Sequence, residues 1–422
     1  MLNNISHIRL SSEEKKLFLS LMIFLICSVL GYFFKAVGQP LLFSVVLRVE
    51  VIGGILLFWY SYSKYNHLFS QQTRRWTFFV FVFLILEFGN AMLFAQHRSD
   101  SYDFFKWVFF MGMFYIGATP KFWMYFLKWG IIIMIIASVL SAMELIYGGF
   151  SYMRGEWSED SYLYQLQAAY APIMLLLSYY LFTPHKKYTL ITITLFAFFV
   201  ILQFYFQKRL PLLRIVLTIV VLMHFLRKKS GFTKQFRMIV LLVIVTVVGI
   251  VYFLPKQYYE ATIDRFFERG TMEQTVEQDA RYQILNSAME ATFSSPRTVF
   301  FGQGMGGYIT GYFWGKKVVV NGNEVDGLAT FEIGPACMWF QYGIFFVVLV
   351  YGFMARLLFG IKKYKRDSLA LSCWVFLLVF FIMNFVGESF PTIHTVLMTA
   401  TVAITMGYLA SFNRRRENTI EI

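Results

Sequence analysis

The segment FWMYFLKWGIIIMIIASVLSAMELI, from Phe122 to Ile146, contains two charged residues, Lys128 and Glu144. Coiled as a helix at about 1.5 Å per residue, it covers the roughly 30 Å hydrocarbon layer of a bilayer. In lipid a backbone must satisfy its own polar groups, so the segment reads as a membrane-spanning helix. Eleven further apolar runs lie around it, at 17–34, 41–60, 77–95, 104–118, 166–183, 188–206, 210–226, 238–254, 329–354, 369–385 and 395–411, of which 104–118 is the shortest. Composition agrees: 58% of the 422 residues are hydrophobic and 15% charged, against about 45–50% and about 25% in soluble domains. An ordinary soluble enzyme is excluded. Aromatics at 20% with nine prolines exclude a disordered or collagen-like chain. The expected fold is an all-α polytopic membrane protein of about twelve spans. The run 17–34 lacks a small-residue cleavage site and follows a polar start with Arg9, Lys15 and Lys16, which reads as a retained anchor.

The formal charge is +14. With twelve spans and the N-terminus inside, 22 of the 38 lysines and arginines fall on the cytoplasmic side, including Lys64, Arg74, Arg75, Lys362, Lys363 and Arg414. The positive-inside rule then places both termini in the cytoplasm, and the basic clusters set topology rather than bind nucleic acid. Cys27, Cys337 and Cys373 lie within apolar runs without metal or redox spacing, and the six histidines form no ligand cluster, so neither metal nor other cofactor is expected.

Most connections are short, but 255–327 separates the ninth and tenth spans on the outer face. The chain thus divides into spans 1–9 (1–254), an extracytoplasmic loop (255–327), and spans 10–12 with a cytoplasmic tail (328–422). Long loops of compact proteins are usually functional. Within this one, Tyr258–Arg269 reads as a short helix and Thr275–Thr292 as a second, with Ile284, Leu285, Ala288, Met289 and Phe293 on one face and a stop at Ser294-Ser295-Pro296. The glycine-rich Phe301–Tyr308 stretch follows, and then Val318–Asn323, whose Asn321-Gly322 suggests a hairpin turn.

Charges in or beside spans are functional candidates by default. Arg48, Glu50, Glu87 and Lys128 are expected to pair across helices. Gln207-Lys208-Arg209-Leu210-Pro211, with Arg214, opens the eighth span on the outer side. Guanidinium groups bind phosphate bidentately, and a helix N-terminus favours anions; anchoring to lipid headgroups is the plainer role. Arg281, on the second loop helix, could pair with Glu277. Glu332 stands near the outer start of the tenth span, where a carboxylate should face a polar cavity or a partner. Gly304, within Gly302–Gly307, could lend backbone amides to a phosphate or simply form a turn. Two or three arginines and one carboxylate at one face suit a reaction on a phosphate-linked substrate: arginine stabilises the departing phosphate and the carboxylate accepts a proton from the attacking hydroxyl.

Several of these segments together resemble the O-antigen polymerase and O-antigen ligase superfamily of bacterial inner membranes. The shared features are the span number, the long late outer loop, Gln207-Lys208-Arg209, Arg281, Ser295-Pro296 running to Phe301-Gly302-Gln303-Gly304, and a tenth span with Gly343 eleven positions after Glu332. Local matches cover about 203–345. The resemblance implies a GT-C-like helical fold in the inner membrane and transfer of a glycan from undecaprenyl diphosphate to an acceptor sugar, metal-free and with inversion. It implies that Arg209 and Arg281 contact the diphosphate with Lys208, Arg214 and Gly304 nearby, and that Glu332 activates the acceptor. Undecaprenyl-diphosphate-linked glycans, membrane lipids and a chain-length regulator would be the partners. Glu332 replaces a histidine of the ligase branch, which points to a Wzy-type polymerase. A ligase acting on a lipid core, or a flippase or exporter of the same lipid-linked sugars, are the alternatives.

Overall fold

A computed structural model describes residues 10–36, 39, 41–94, 102–147, 171–205, 209–227, 280–305, 307–311, 317–320, 323–328, 333–386 and 396–420, with scattered positions from 237 to 252. The apolar runs become α1 (Ser12–Ala36), α2 (Leu41–Tyr65), α3 (Gln71–Phe94), α4 (Tyr102–Gly117), α5 (Pro120–Tyr147), α6 (Ala171–Phe182), α7 (Lys186–Tyr205) and α8 (Arg209–Leu226). The loop contributes α9 (Ala280–Phe293) and α10 (Pro296–Phe301). The strands β1 (Ile309–Thr310), β2 (Lys317–Val320) and β3 (Asn323–Leu328) follow. The chain closes with α11 (Gly334–Phe359), the single turn α12 (Ile361–Tyr364), α13 (Ser368–Val386) and α14 (Val396–Ile420). Among the described residues, seven helices are long and apolar enough to cross a membrane; three shorter apolar helices lie between them and a fourth follows the last. The run 238–254 and the helix expected at 258–269 fall largely or wholly outside the described residues. Large apolar side chains such as Trp59 and Leu93 are about three-quarters exposed, at 74% and 76%. This surface belongs in lipid, not in water.

The shortest apolar run occupies the centre. Helix α4 is buried almost throughout, with Trp107, Phe110, Met111, Phe114 and Ile116 fully enclosed. Glycines let its neighbours approach. A Cβ on Gly54 of α2 would lie 3.2 Å from that of Phe109, one on Gly117 would lie 2.3 Å from the Ile404 carbonyl oxygen, and one on Gly407 would lie 1.9 Å from that of Phe114. Helices α2, α4 and α14 therefore meet backbone to backbone, as small residues permit inside membranes. Protein rather than lipid surrounds α4, which is why it can be short.

Contacts between elements define the two ends of the bundle. At one, Ser11 and Glu14 form a reciprocal N-terminal cap, and the same carboxylate receives Lys64 of α2 at 3.4 Å and Lys121 of α5 at 3.2 Å. Arg414 of α14 donates to the Phe69 carbonyl at 3.0 Å, and Arg356 of α11 to Gln72 Oε1 at 2.5 Å. This end carries Lys64, Arg74, Arg75, Lys121, Arg356, Lys362, Lys363 and Arg414. Replacing Glu14 by alanine removes the carboxylate half of the cap and both ion pairs. Because the lysines keep about a third of their surface in solvent, a loss of roughly 1–2 kcal/mol is expected, measurable as a lowered unfolding temperature of the detergent-solubilised protein.

Arg48 and Lys128, expected to pair across helices, are instead exposed on the bundle exterior and form no ion pair among the described residues. Long aliphatic stems let such cations reach toward the interface. Glu50 is buried within α2.

Candidate functional site

The opposite end carries a cap built from α9, α10 and a small sheet, an addition to an otherwise helical architecture. The strands run antiparallel in the order β1-β3-β2, with Val320 paired to Asn323 across a two-residue link, as a hairpin at Asn321-Gly322 requires. Helix α9 is described from Ala280, and 275–279 of the expected helix lie outside the described residues. It turns Ile284 and Ala288 onto Ile309, Leu328, Cys337 and Phe340, while Phe293 is exposed and meets the edge of Trp339. Ser295 then starts α10 with a capping box shared with Thr298 and with Pro296 in the first turn.

The cap sits on a broken helix. Within α11, Gly343 has φ 76° and ψ 169°, values that interrupt the hydrogen-bond ladder. The carbonyls of Phe340 and Gln341, which an unbroken helix would satisfy itself, accept instead from the amides of Gln303 at 2.7 Å and Gly304 at 3.0 Å. Both sides of this joint need glycine: a Cβ on Gly343 would fall 2.0 Å from the Phe300 oxygen, and one on Gly302, at φ 72°, would fall 2.4 Å from the Gln341 carbonyl. The Gly307 amide donates back to Gly304. Of the two sequence readings of Gly304, the turn describes its observed bonds; the amides of Gln303, Gly304 and Gly307 already have backbone acceptors.

A polar chain ties the cap to α3. Arg297 of α10 donates to Asn90 Oδ1 at 2.8 Å. Asn90 Nδ2 donates to Glu87 Oε2 at 3.1 Å and approaches the Phe301 carbonyl at 3.4 Å. Glu87 is fully buried and lies within electrostatic reach of Arg297. Glu87 is expected from sequence to pair with another span. Its charged neighbour comes from the loop, and neither Asn90 nor Arg297 carried a recognisable motif.

Arg209 is the first residue of α8 and Arg281 the second of α9. The far end of α8 packs Phe225 against Trp374, whose Nε1 donates to the Leu358 carbonyl at the basic end. Arg209, 16 residues before Phe225 and roughly 24 Å along the axis, therefore lies at the cap end, where α9 also rests. Neither helix has an acidic residue in its first turn. A cation there opposes the helix dipole, whereas an anion between cation and helix end is favoured by both. Arg214 follows half-buried in α8, and Lys208 and Glu332 lie outside the described residues. Six residues before Arg209, the Gln203 side chain is fully buried, and its amide nitrogen and oxygen form no hydrogen bond among the described residues. No three histidine, cysteine or carboxylate side chains gather to hold a metal among the described residues.

No protein-family model matches the chain, and no curated protein matches its sequence. The functional reading therefore rests on the residues alone.

Proposed function

We propose that the chain is a membrane glycosyltransferase that polymerises lipid-linked oligosaccharide repeat units of a surface polysaccharide. The observation that carries this reading is the arrangement of Arg209 and Arg281. Each stands in the first turn of a helix whose first turn holds no acidic residue, at the end of the bundle that bears the folded cap. A diphosphate is the anion such paired positive ends suit. The other end holds the dense lysines and arginines, so the positive-inside rule makes it cytoplasmic, with twelve crossings and both termini inside. The cap then faces outward from the bacterial inner membrane.

In this reading an acceptor sugar hydroxyl attacks the anomeric carbon of a glycan held on undecaprenyl diphosphate. Its oxygen forms the new glycosidic bond as the bond to the diphosphate breaks. Glu332 takes the hydroxyl proton, and Arg209 and Arg281, supported by Arg214 and Lys208, hold the charge that appears on the expelled diphosphate. The cap, docked at Gly302 and Gly304, covers the sugars and excludes water. Purified protein incubated with a panel of undecaprenyl-diphosphate repeat units is expected to give a ladder of products. Single transfer to a lipid core, or movement of intact substrate across vesicles without a ladder, would replace this reading with ligase or flippase.

A further inference from the structure

At the basic end, a cavity of about 650 Å³ opens where the turn after α2 leads into α3. It is an open hollow on the bundle's surface, not an enclosed chamber. Tyr62, Asn66, Arg74, Arg75, Phe78 and Phe79 line it.

Three features of this cavity point to one ligand chemistry. The first turn of α3 holds no acidic residue, Arg74 and Arg75 stand at its fourth and fifth positions, and a third arginine, Arg356, reaches Gln72 from α11. Cations crowded at a positive helix end repel it and each other unless an anion lies among them. The Asn66 side-chain oxygen and the Arg74 Nε are both buried without a hydrogen-bond partner among the described residues, polar atoms that a bound molecule, directly or through its water, would satisfy. Polarity also changes with depth. Along one stripe of α3, Arg74 and Arg75 lie near the end and Phe78 and Phe79 one turn deeper, the latter pair 63% and 56% exposed. A polar, cation-rich floor giving way to exposed aromatic rings matches the order of groups in a phospholipid, phosphate first and acyl chain below.

We propose that this cavity binds an anionic phospholipid of the leaflet at the basic end. Arg74 and Arg75 hold the phosphate, Asn66 orients the headgroup, and Phe78 and Phe79 lie along the acyl chain. Basic pockets at this depth are suited to such headgroups. The site lies at the other end of the bundle from Arg209 and Arg281 and does not depend on the polymerase reading.

The test is native mass spectrometry of the full chain, delipidated in detergent and titrated with phosphatidylglycerol, phosphatidylcholine or inorganic phosphate. Wild-type protein is expected to retain phosphatidylglycerol in preference to phosphatidylcholine. Arg74→Gln/Arg75→Gln is expected to weaken that binding by at least about tenfold, as the loss of charge-assisted hydrogen bonds entails, with phosphatidylcholine uptake unchanged. Asn66→Asp, which sets a carboxylate beside the same phosphate, should reduce the preference as well and serves if the double variant does not fold. Equal uptake of both lipids by wild type, unchanged phosphatidylglycerol binding in a folded variant, or full competition by inorganic phosphate would overturn the proposal.

Discussion

Arg209→Ala and Arg281→Ala are each expected to slow chain extension on undecaprenyl-diphosphate repeat units by about 10²–10³, the usual loss when one charge-stabilising donor leaves a transition state. If both cations serve the same departing diphosphate, their effects are coupled, and the double variant should fall less than the product of the two single losses. Lysine at either position retains charge but not the planar fork, so partial activity is expected from Arg209→Lys and Arg281→Lys. Product ladders resolved over time, at matched protein levels, measure all five variants. Normal rates in both alanine variants would remove the diphosphate site.

The second large effect is expected at the joint between cap and helix. Gly343→Val brings a side chain into the Phe300 carbonyl and imposes a positive φ on a β-branched residue. Strain of about 1–3 kcal/mol and overpacking of similar size exceed what the two amide-to-carbonyl bonds return. The helix is expected to straighten through residue 343 and release the cap, with loss of polymer formation and rapid proteolysis within 280–328. Gly352→Ala, nine residues on in the same helix, meets nothing within 4 Å. It should leave activity intact and stabilise the helix by about 0.5–1 kcal/mol. Activity in Gly343→Val equal to that of Gly352→Ala would show that the docked cap is dispensable.

Much of this architecture is legible in the residues because lipid imposes a single demand. A run such as Phe122–Ile146 must be helical wherever it lies in the bundle, and α5 spans Pro120–Tyr147. Cap signals were equally local: Ser295-Pro296 starts α10 and Asn321-Gly322 joins two strands. What sequence did not disclose depends on contacts between distant segments. Gly117 within 104–118 does not by itself indicate that this is the central helix, since the close approach also needs Gly54 on α2 and Gly407 on α14. The break at Gly343 is legible only beside Gly302, 41 positions earlier, whose neighbours supply the missing donors. Arg297 and Asn90 carry polar chemistry common to any loop or helix end; their proximity to Glu87 arises from the docking of α10. Arg48 and Lys128 illustrate the reverse, exposed cations with long stems and no ion pair among the described residues.

The most direct test of the central claim is a cross-link. With Cys27, Cys337 and Cys373 replaced by alanine, Arg209→Cys and Arg281→Cys are introduced together, and membranes are treated with a short bifunctional thiol reagent after cleavage of the chain between the two positions. Joined fragments, with joining suppressed by undecaprenyl diphosphate, are the result expected of two side chains flanking one diphosphate. Fragments that separate whether or not the carrier lipid is present would contradict it.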